Sequence, residues 1–128
     1  MKLLVTGGAG FIGSAVVRLA VARGHEVVNV DALTYAGNLA NLDAFRGDSR
    51  HVFHQGDIGD RALVSKLLAE HTPRAVLNFA AESHVDRSIH GPGDFIQTNV
   101  MGTFNLLESV RAYWMALPDA KKQAFRFL

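Results

Sequence analysis

The chain has 128 residues, of which 48% are hydrophobic and 20% are charged. This length allows one domain, and the composition favours a packed core over disorder. Thirteen basic against twelve acidic residues give a formal charge of +1, so we expect neither nucleic acid nor a membrane surface as a partner. Cysteine is absent, which excludes disulfides, thiolate metal sites and cysteine nucleophiles and fits a cytoplasmic location. No apolar run approaches the ~20 residues of a membrane span.

Predicted strands and helices alternate along the chain. The strands are predicted at residues 2–6, 26–31, 51–55, 74–81 and 125–128. The helices are predicted at residues 11–23, 60–70 and 92–117, with a short helical pattern inside the excursion 32–50. This alternation predicts an α/β fold, a three-layer doubly wound Rossmann-type parallel sheet with strand order 3-2-1-4-5. The chain stops as the fifth strand begins, so we expect residues 1–128 to form a single, incomplete domain.

Two helices are identified by the spacing of their apolar residues. In the first helix the pattern comprises Ile12, Val16, Leu19 and Ala20. In the long helix it comprises Phe95, Ile96, Val100, Phe104, Leu107 and Trp114. These spacings follow the helical period of 3.6 residues.

A glycine motif, Gly7-x-x-Gly10-x-x-Gly13, follows the first strand directly and opens the first helix. A tight strand-to-helix turn favours residues that tolerate positive φ, and a pyrophosphate can approach backbone amides only where no Cβ intervenes. Phe11 and Ile12 lie in the first helical turn, where their amides could face phosphates. The alternative is a tight structural turn. An ATP-type P-loop is excluded because Ser14, not lysine, follows Gly13.

Asp31 lies 18 residues beyond Gly13, at the end of the second strand. A carboxylate at this place can accept hydrogen bonds from both hydroxyls of an adenosine ribose. It would repel a 2′-phosphate, so the sequence favours NAD over NADP. The alternative is a plain cap of the strand end.

Polar residues also follow the third and fourth strands. Asp57 could accept from the adenine amine and Ile58 could pack on the ring, although Asp57 serves equally well as an acid before a helix. Small residues, followed by Glu82 and Ser83, end the fourth strand, where a nicotinamide should meet its substrate.

Asp86 and Arg87 are predicted as a buried pair that fixes a loop rather than a substrate clamp. Thr98 and Asn99, polar and mid-helix, suggest contact with cofactor, substrate or a neighbouring loop.

Three runs of residues carry a family resemblance. Residues 4–14 resemble the extended short-chain dehydrogenase/reductase superfamily of nucleotide-sugar enzymes. Residues 31–39 and 80–89 are similar to its dTDP-glucose 4,6-dehydratase family. The resemblance implies a lyase with bound NAD, oxidation of the sugar at C4, loss of water across C5–C6, and a homodimer built on helix 92–117. It implies NAD contacts at Phe11, Ile12, Asp31, Ala32, Leu33, Thr34, Asp57, Ile58, Phe79, Ala80, Ala81, Glu82, Ser83 and Thr98, with Ser83 also reaching the substrate.

The chain lacks two motifs of that family. No Tyr-x-x-x-Lys pair is present, because the residue four positions after Tyr35 is Leu39 and the residue four positions after Tyr113 is Leu117. No Asp-Glu dipeptide occurs either. We therefore expect the N-terminal part of such an enzyme, with no catalytic residue of its own and no turnover alone. A related UDP-sugar epimerase or decarboxylase and a non-catalytic nucleotide-binding fragment remain as alternatives. Five histidines, His25, His51, His54, His71 and His90, lack metal-ligand spacing, and no metal site is predicted.

Overall fold

Five short parallel strands form one sheet in the computed structural model, which describes residues 1–128. They are β1 (Lys2–Thr6), β2 (Glu26–Asp31), β3 (His51–Gln55), β4 (Ala75–Asn78) and β5 (Arg126–Phe127). Their order in the sheet is β3-β2-β1-β4-β5. The predicted fold class and strand order are confirmed.

Helical segments connect the strands. The α-helices are α1 (Phe11–Ala22), α2 (Arg61–His71), α3 (Val85–His90), α4 (Pro92–Phe95), α5 (Thr103–Ala116) and α6 (Asp119–Ala124). A 3₁₀-helix spans Leu39–Phe45, and a π-helix spans Ile96–Gly102. The predicted helix 92–117 therefore consists of α4, the π-helix and α5, whereas α3 and α6 were not predicted. None of these helices has the length and apolar character that crossing a membrane would require.

The sheet separates two hydrophobic layers. Side chains alternate along β1, so Leu4 enters one layer while Leu3 and Val5 enter the other. α2 and α5 cover the Leu4 layer, and α1 covers the opposite layer. This three-layer arrangement leaves the carboxyl ends of the strands uncovered at one edge, where a site can form.

The face that α1 buries differs from the apolar pattern that identified the helix. Its buried residues are Gly13, Ser14, Val17, Ala20 and Val21. Ile12 is 64% exposed and Leu19 is 51% exposed. A Cβ on Gly13 would overlap the carbonyl oxygen of Gly7, so the helix must approach the glycine loop through its smallest residues. Close backbone packing thus determines the rotation of α1.

β4 is shorter than the predicted strand 74–81 and ends at Asn78. β1 stops at Thr6, and Gly7 then turns the chain away with a φ of +66°. The Phe79 amide still donates to the Thr6 carbonyl at 3.1 Å, and beyond Phe79 the chain has no strand to pair with on that side. The Ala80 amide donates instead to the Thr6 side-chain oxygen at 3.2 Å. The residues after β4 are thereby left free to line a cleft.

Candidate functional site

The carboxyl ends of the central strands border a cleft with about 580 Å³ of space, part of it open to solvent. Twelve residues of the predicted cofactor site line this cleft: Gly7, Gly10, Asp31, Ala32, Thr34, Asp57, Ile58, Phe79, Ala80, Ala81, Glu82 and Thr98. Five others do not line it: Phe11, Ile12, Gly13, Leu33 and Ser83. Four lining residues were missed: Val30, Ala36, Gly37 and Gly56. Each of the four lies close in sequence to a predicted residue, which is the signal that could have identified it.

The glycine loop forms the floor of the cleft. Gly7 has a φ of +66°, and a Cβ there would lie 2.6 Å from both the Ala80 nitrogen and the Phe79 carbonyl carbon. Its amide donates to the Val30 carbonyl oxygen at 2.8 Å. Gly7 is therefore required both by its conformation and by the close approach of the chain after β4.

The N-terminus of α1 presents free amides beside this loop. No side chain caps the helix at Gly10, and its first backbone hydrogen bond runs from the Ser14 amide to the Gly10 carbonyl at 3.0 Å. The amides of Phe11 and Ile12 precede that bond and have no acceptor within the chain. Such an end favours an anion.

Asp31 is 8% exposed and lines the cleft. One carboxylate oxygen accepts from the Ala9 amide at 2.8 Å, and the other accepts from the Leu33 amide at 2.8 Å. The second bond caps the end of β2, as the alternative interpretation expected, and Leu33 there adopts a φ of +54°. An ionised carboxylate has about four acceptor sites. Two bonds therefore leave this group capacity to accept from a ligand.

Asp57 and Ile58 follow β3 and differ in exposure. The Asp57 carboxylate is exposed and accepts from the Gly59 amide at 2.7 Å. Asp60 caps α2 by accepting from the Leu63 amide at 3.0 Å, as predicted. Ile58 is only 3% exposed and packs in the core, where a Cβ on Gly102 would lie 3.2 Å from it. Most of the Ile58 side chain thus packs against protein, and little of it is left for a ligand.

The π-helix contributes two polar residues. Thr98 lines the cleft. The Asn99 side chain accepts from the Glu82 amide at 2.8 Å and donates to the Glu82 carbonyl at 2.8 Å. A π-helical segment often marks a functional position in a helix. The sequence suggested that Asn99 contacts the cofactor, the substrate or a neighbouring loop, and the structure shows the contact with the loop after β4. These two bonds fix the backbone beside Ser83.

A polar cluster bridges the loops after β2 and β4. The Tyr35 hydroxyl donates to the Glu82 carboxylate at 2.7 Å, and the Arg87 guanidinium carbon lies 3.7 Å from the centre of the Tyr35 ring. The hydrogen bond to Glu82 raises the pKa of Tyr35 above its usual value. The expected buried pair of Asp86 and Arg87 is wrong, because both residues are exposed and no salt bridge joins them. Arg87 stacks on an aromatic ring instead.

A parallel sheet, a glycine turn into an uncapped helix and a buried acid at the end of β2 together define a Rossmann-type domain of the dinucleotide-binding class. Residues 4–128 match the family model described as GDP-mannose 4,6 dehydratase, and the chain belongs to that family.

Curated relatives and solved structures agree with this assignment. The chain is 69% identical over 125 residues to a dTDP-glucose 4,6-dehydratase of Xanthomonas campestris pv. campestris (strain B100), covering 98% of the chain and 36% of the relative. The dTDP-glucose 4,6-dehydratase of Streptomyces venezuelae, solved with NAD bound, matches with a TM-score of 0.83 and 49% identity over 88% of this chain and 36% of that one. A UDP-glucose 4-epimerase of Thermotoga maritima matches with a TM-score of 0.79 and 35% identity, covering 88% and 35%. The chain thus spans about a third of the length of these relatives.

Proposed function

We propose that this chain is the NAD-binding part of a dTDP-glucose 4,6-dehydratase. The observation that carries the proposal is one cleft lined by Gly7 and Gly10, which lead into the uncapped helix α1, and by the buried Asp31. A relative at 69% identity carries the name of that enzyme, and a solved structure of such an enzyme at 49% identity holds NAD.

Within this cleft, the residues present suit the parts of a dinucleotide. The amides of Phe11 and Ile12, with Gly7 and Gly10 below, would hold the diphosphate. The carboxylate of Asp31 would accept from the adenosine ribose. The remaining contacts are assigned in groups: Ala32, Leu33, Thr34, Asp57 and Ile58 to the adenosine half, and Phe79, Ala80, Ala81, Glu82, Ser83 and Thr98 to the nicotinamide half. Ser83 is exposed, so it could also reach a sugar substrate.

The reaction proposed for the whole enzyme converts dTDP-glucose to dTDP-4-keto-6-deoxyglucose and water. NAD would supply a hydride acceptor for the C4 position and return that hydride to C6. Removing the C4 hydroxyl proton needs a base, and eliminating water needs an acid. The Tyr-x-x-x-Lys and Asp-Glu motifs that would serve these roles are absent from residues 1–128.

The 128-residue chain should therefore bind NAD but not turn over substrate. Calorimetric titration should show saturable NAD binding and binding of NADP at least about tenfold weaker, because the 2′-phosphate would meet the Asp31 carboxylate. Incubation with NAD and dTDP-glucose should yield no keto sugar by chromatography. Product formation by the pure chain, or equal affinity for the two cofactors, would contradict the proposal.

A related UDP-sugar enzyme is the second candidate, because the Thermotoga maritima epimerase structure matches this fold with a TM-score of 0.79. Its identity of 35% is about half that of the Xanthomonas dehydratase. The sequence motifs do not by themselves distinguish a thymidine from a uridine nucleotide. The dehydratase assignment therefore depends on the similarity over residues 31–39 and 80–89.

A cytoplasmic location stays a prediction.

We also propose a homodimer that forms through helix segment 92–117. Five of the six apolar residues that identified this segment are exposed: Ile96, Val100, Phe104, Leu107 and Trp114. The core face of α5 uses other residues, Leu106, Ser109 and Val110. Exposed apolar patches of this kind mark interaction surfaces.

Sedimentation analysis should therefore show a dimer that Leu107→Glu converts to a monomer. The control is Leu19→Glu, because Leu19 is similarly exposed but lies on α1. A monomer at all concentrations before any substitution would contradict the dimer proposal.

A further inference from the structure

The chain after β2 folds back on itself in two successive turns. The Leu33 amide donates to the Asp31 carboxylate at 2.8 Å, and the Gly37 amide donates to the Thr34 carbonyl at 3.0 Å. Tyr35 lies at the tip of the second turn. The Asn38 amide then donates to the Ala9 carbonyl at 3.1 Å, which ties the returning chain to the glycine loop. The loop thus presents one aromatic side chain from a fixed base.

The bond from Tyr35 to Glu82 crosses the cleft. β1 lies between β2 and β4 in the sheet, so a contact between the loops after β2 and β4 passes over the end of β1. The neighbours of Tyr35 in sequence, Thr34 and Ala36, line the cleft from one side, and Glu82 lines it from the other. The bridge therefore closes the cleft above the glycine loop, where the diphosphate is proposed to lie.

Contacts around Glu82 and Tyr35 hold the two ends of the bridge. The backbone of Glu82 is bonded at both its amide and its carbonyl by the Asn99 side chain. Arg87 adds a stacking contact on the Tyr35 ring, and the His84 ring meets the same ring edge-on with centroids 6.0 Å apart. Tyr35 itself is 44% exposed. Opening the cleft thus requires the loss of a few exposed polar contacts and no core packing.

We propose that Tyr35, with Glu82 and Arg87, forms a strap across the cleft that retains the bound dinucleotide and sets its rate of release. This inference rests on the proposed function, since it assumes that the cleft holds NAD. The strap acts from the rim, because Tyr35 is not among the lining residues. Removing the hydroxyl should leave the cleft walls intact and speed release.

The test measures NADH release from the 128-residue chain by stopped-flow fluorescence, with excess NAD as the displacing ligand. Tyr35→Phe should raise the dissociation rate about fivefold to tenfold, as expected for one exposed hydrogen bond to a charged acceptor. Glu82→Gln should give a smaller rise, because the amide oxygen still accepts. Tyr113→Phe is the matched control, since the Tyr113 hydroxyl donates to the Pro73 carbonyl at 3.2 Å and lies outside the cleft lining. Unchanged release in Tyr35→Phe would overturn the strap.

A second measurement needs no ligand. Hydrogen exchange of the amides of residues 33–38 should be about fivefold faster in Tyr35→Phe than in the unsubstituted chain or in Tyr113→Phe, because the loop tip loses its anchor. If the unsubstituted chain binds no NADH, the proposed function and the retention role both fail. If NADH binds normally but release and exchange are unchanged in Tyr35→Phe, only the strap is overturned.

Discussion

Replacement of Gly7 by alanine should lower the free energy of unfolding by about 2–5 kcal/mol. Part of this loss comes from the left-handed φ of +66°, which costs a residue with a Cβ about 1–2 kcal/mol. The remainder comes from the Cβ itself, which would lie 2.6 Å from backbone atoms of Phe79 and Ala80. Neither contact involves a flexible side chain that could move aside. The chain after β4 must shift, and the cleft opens with it.

Urea unfolding monitored by circular dichroism measures the loss, and NAD titration measures the damage to the site. Gly93→Ala is the matched control, because a Cβ on Gly93 meets nothing within 4 Å. That control should be neutral or slightly stabilising, since alanine is the better helix former. A Gly7→Ala chain as stable as the control would show that the turn after β1 relaxes easily and that the described approach of Ala80 is not required.

Substitution of Asp31 by asparagine should weaken NAD binding roughly 10- to 100-fold, as expected for the loss of charge-assisted bonds to a ribose. The same change should lower the free energy of unfolding by about 1–3 kcal/mol. Both oxygens of Asp31 accept backbone amides, from Ala9 and Leu33. The amide group of asparagine can accept through one atom only, so one buried N–H would face another donor.

Measuring the affinity for NADP as well as for NAD distinguishes a ligand-binding role of Asp31 from a purely structural one. With the negative charge removed, the preference for NAD over NADP should shrink, whereas a purely structural role of Asp31 would weaken both cofactors equally. Asp43→Asn serves as the control, because Asp43 is exposed and pairs with Arg46 at 2.7 Å away from the cleft. An unchanged cofactor preference in Asp31→Asn would assign Asp31 to capping the strand alone.

Asp31 and Tyr35 together explain how one loop both shapes and closes the cleft. The carboxylate holds the base of the loop through Leu33, and Gly37 packs so closely that a Cβ there would lie 2.8 Å from an Asp31 oxygen. The tip then reaches Glu82. Loss of Asp31 should therefore also disturb the strap, whereas loss of the Tyr35 hydroxyl should leave Asp31 unaffected.

Local patterns in the sequence located the five strands and the glycine turn, and the alternation of strands and helices predicted the strand order. Short apolar runs followed by glycine or an acidic residue identify β1 and β2, because buried parallel strands need apolar side chains on both faces. β3 (HVFHQ) is less apolar and half-exposed, and the Gly56-Asp57 that follows it marks its end. Asp60 before an apolar helical pattern identifies the start of α2, and its cap was found as predicted. Asp31 could be placed at the cleft because its distance from Gly13 follows from the βαβ unit itself.

Contacts between distant segments decided the rest. The end of β4 depends on where β1 stops, and the rotation of α1 depends on the approach of Gly13 to Gly7; neither is encoded in the local period. The bond between Tyr35 and Glu82 joins residues 47 positions apart, and the hold of Asn99 on Glu82 joins residues 17 apart. Sequence patterns report the environment of one element at a time. Which polar groups meet across a cleft depends on how the loops are packed together, and only the tertiary structure supplies that.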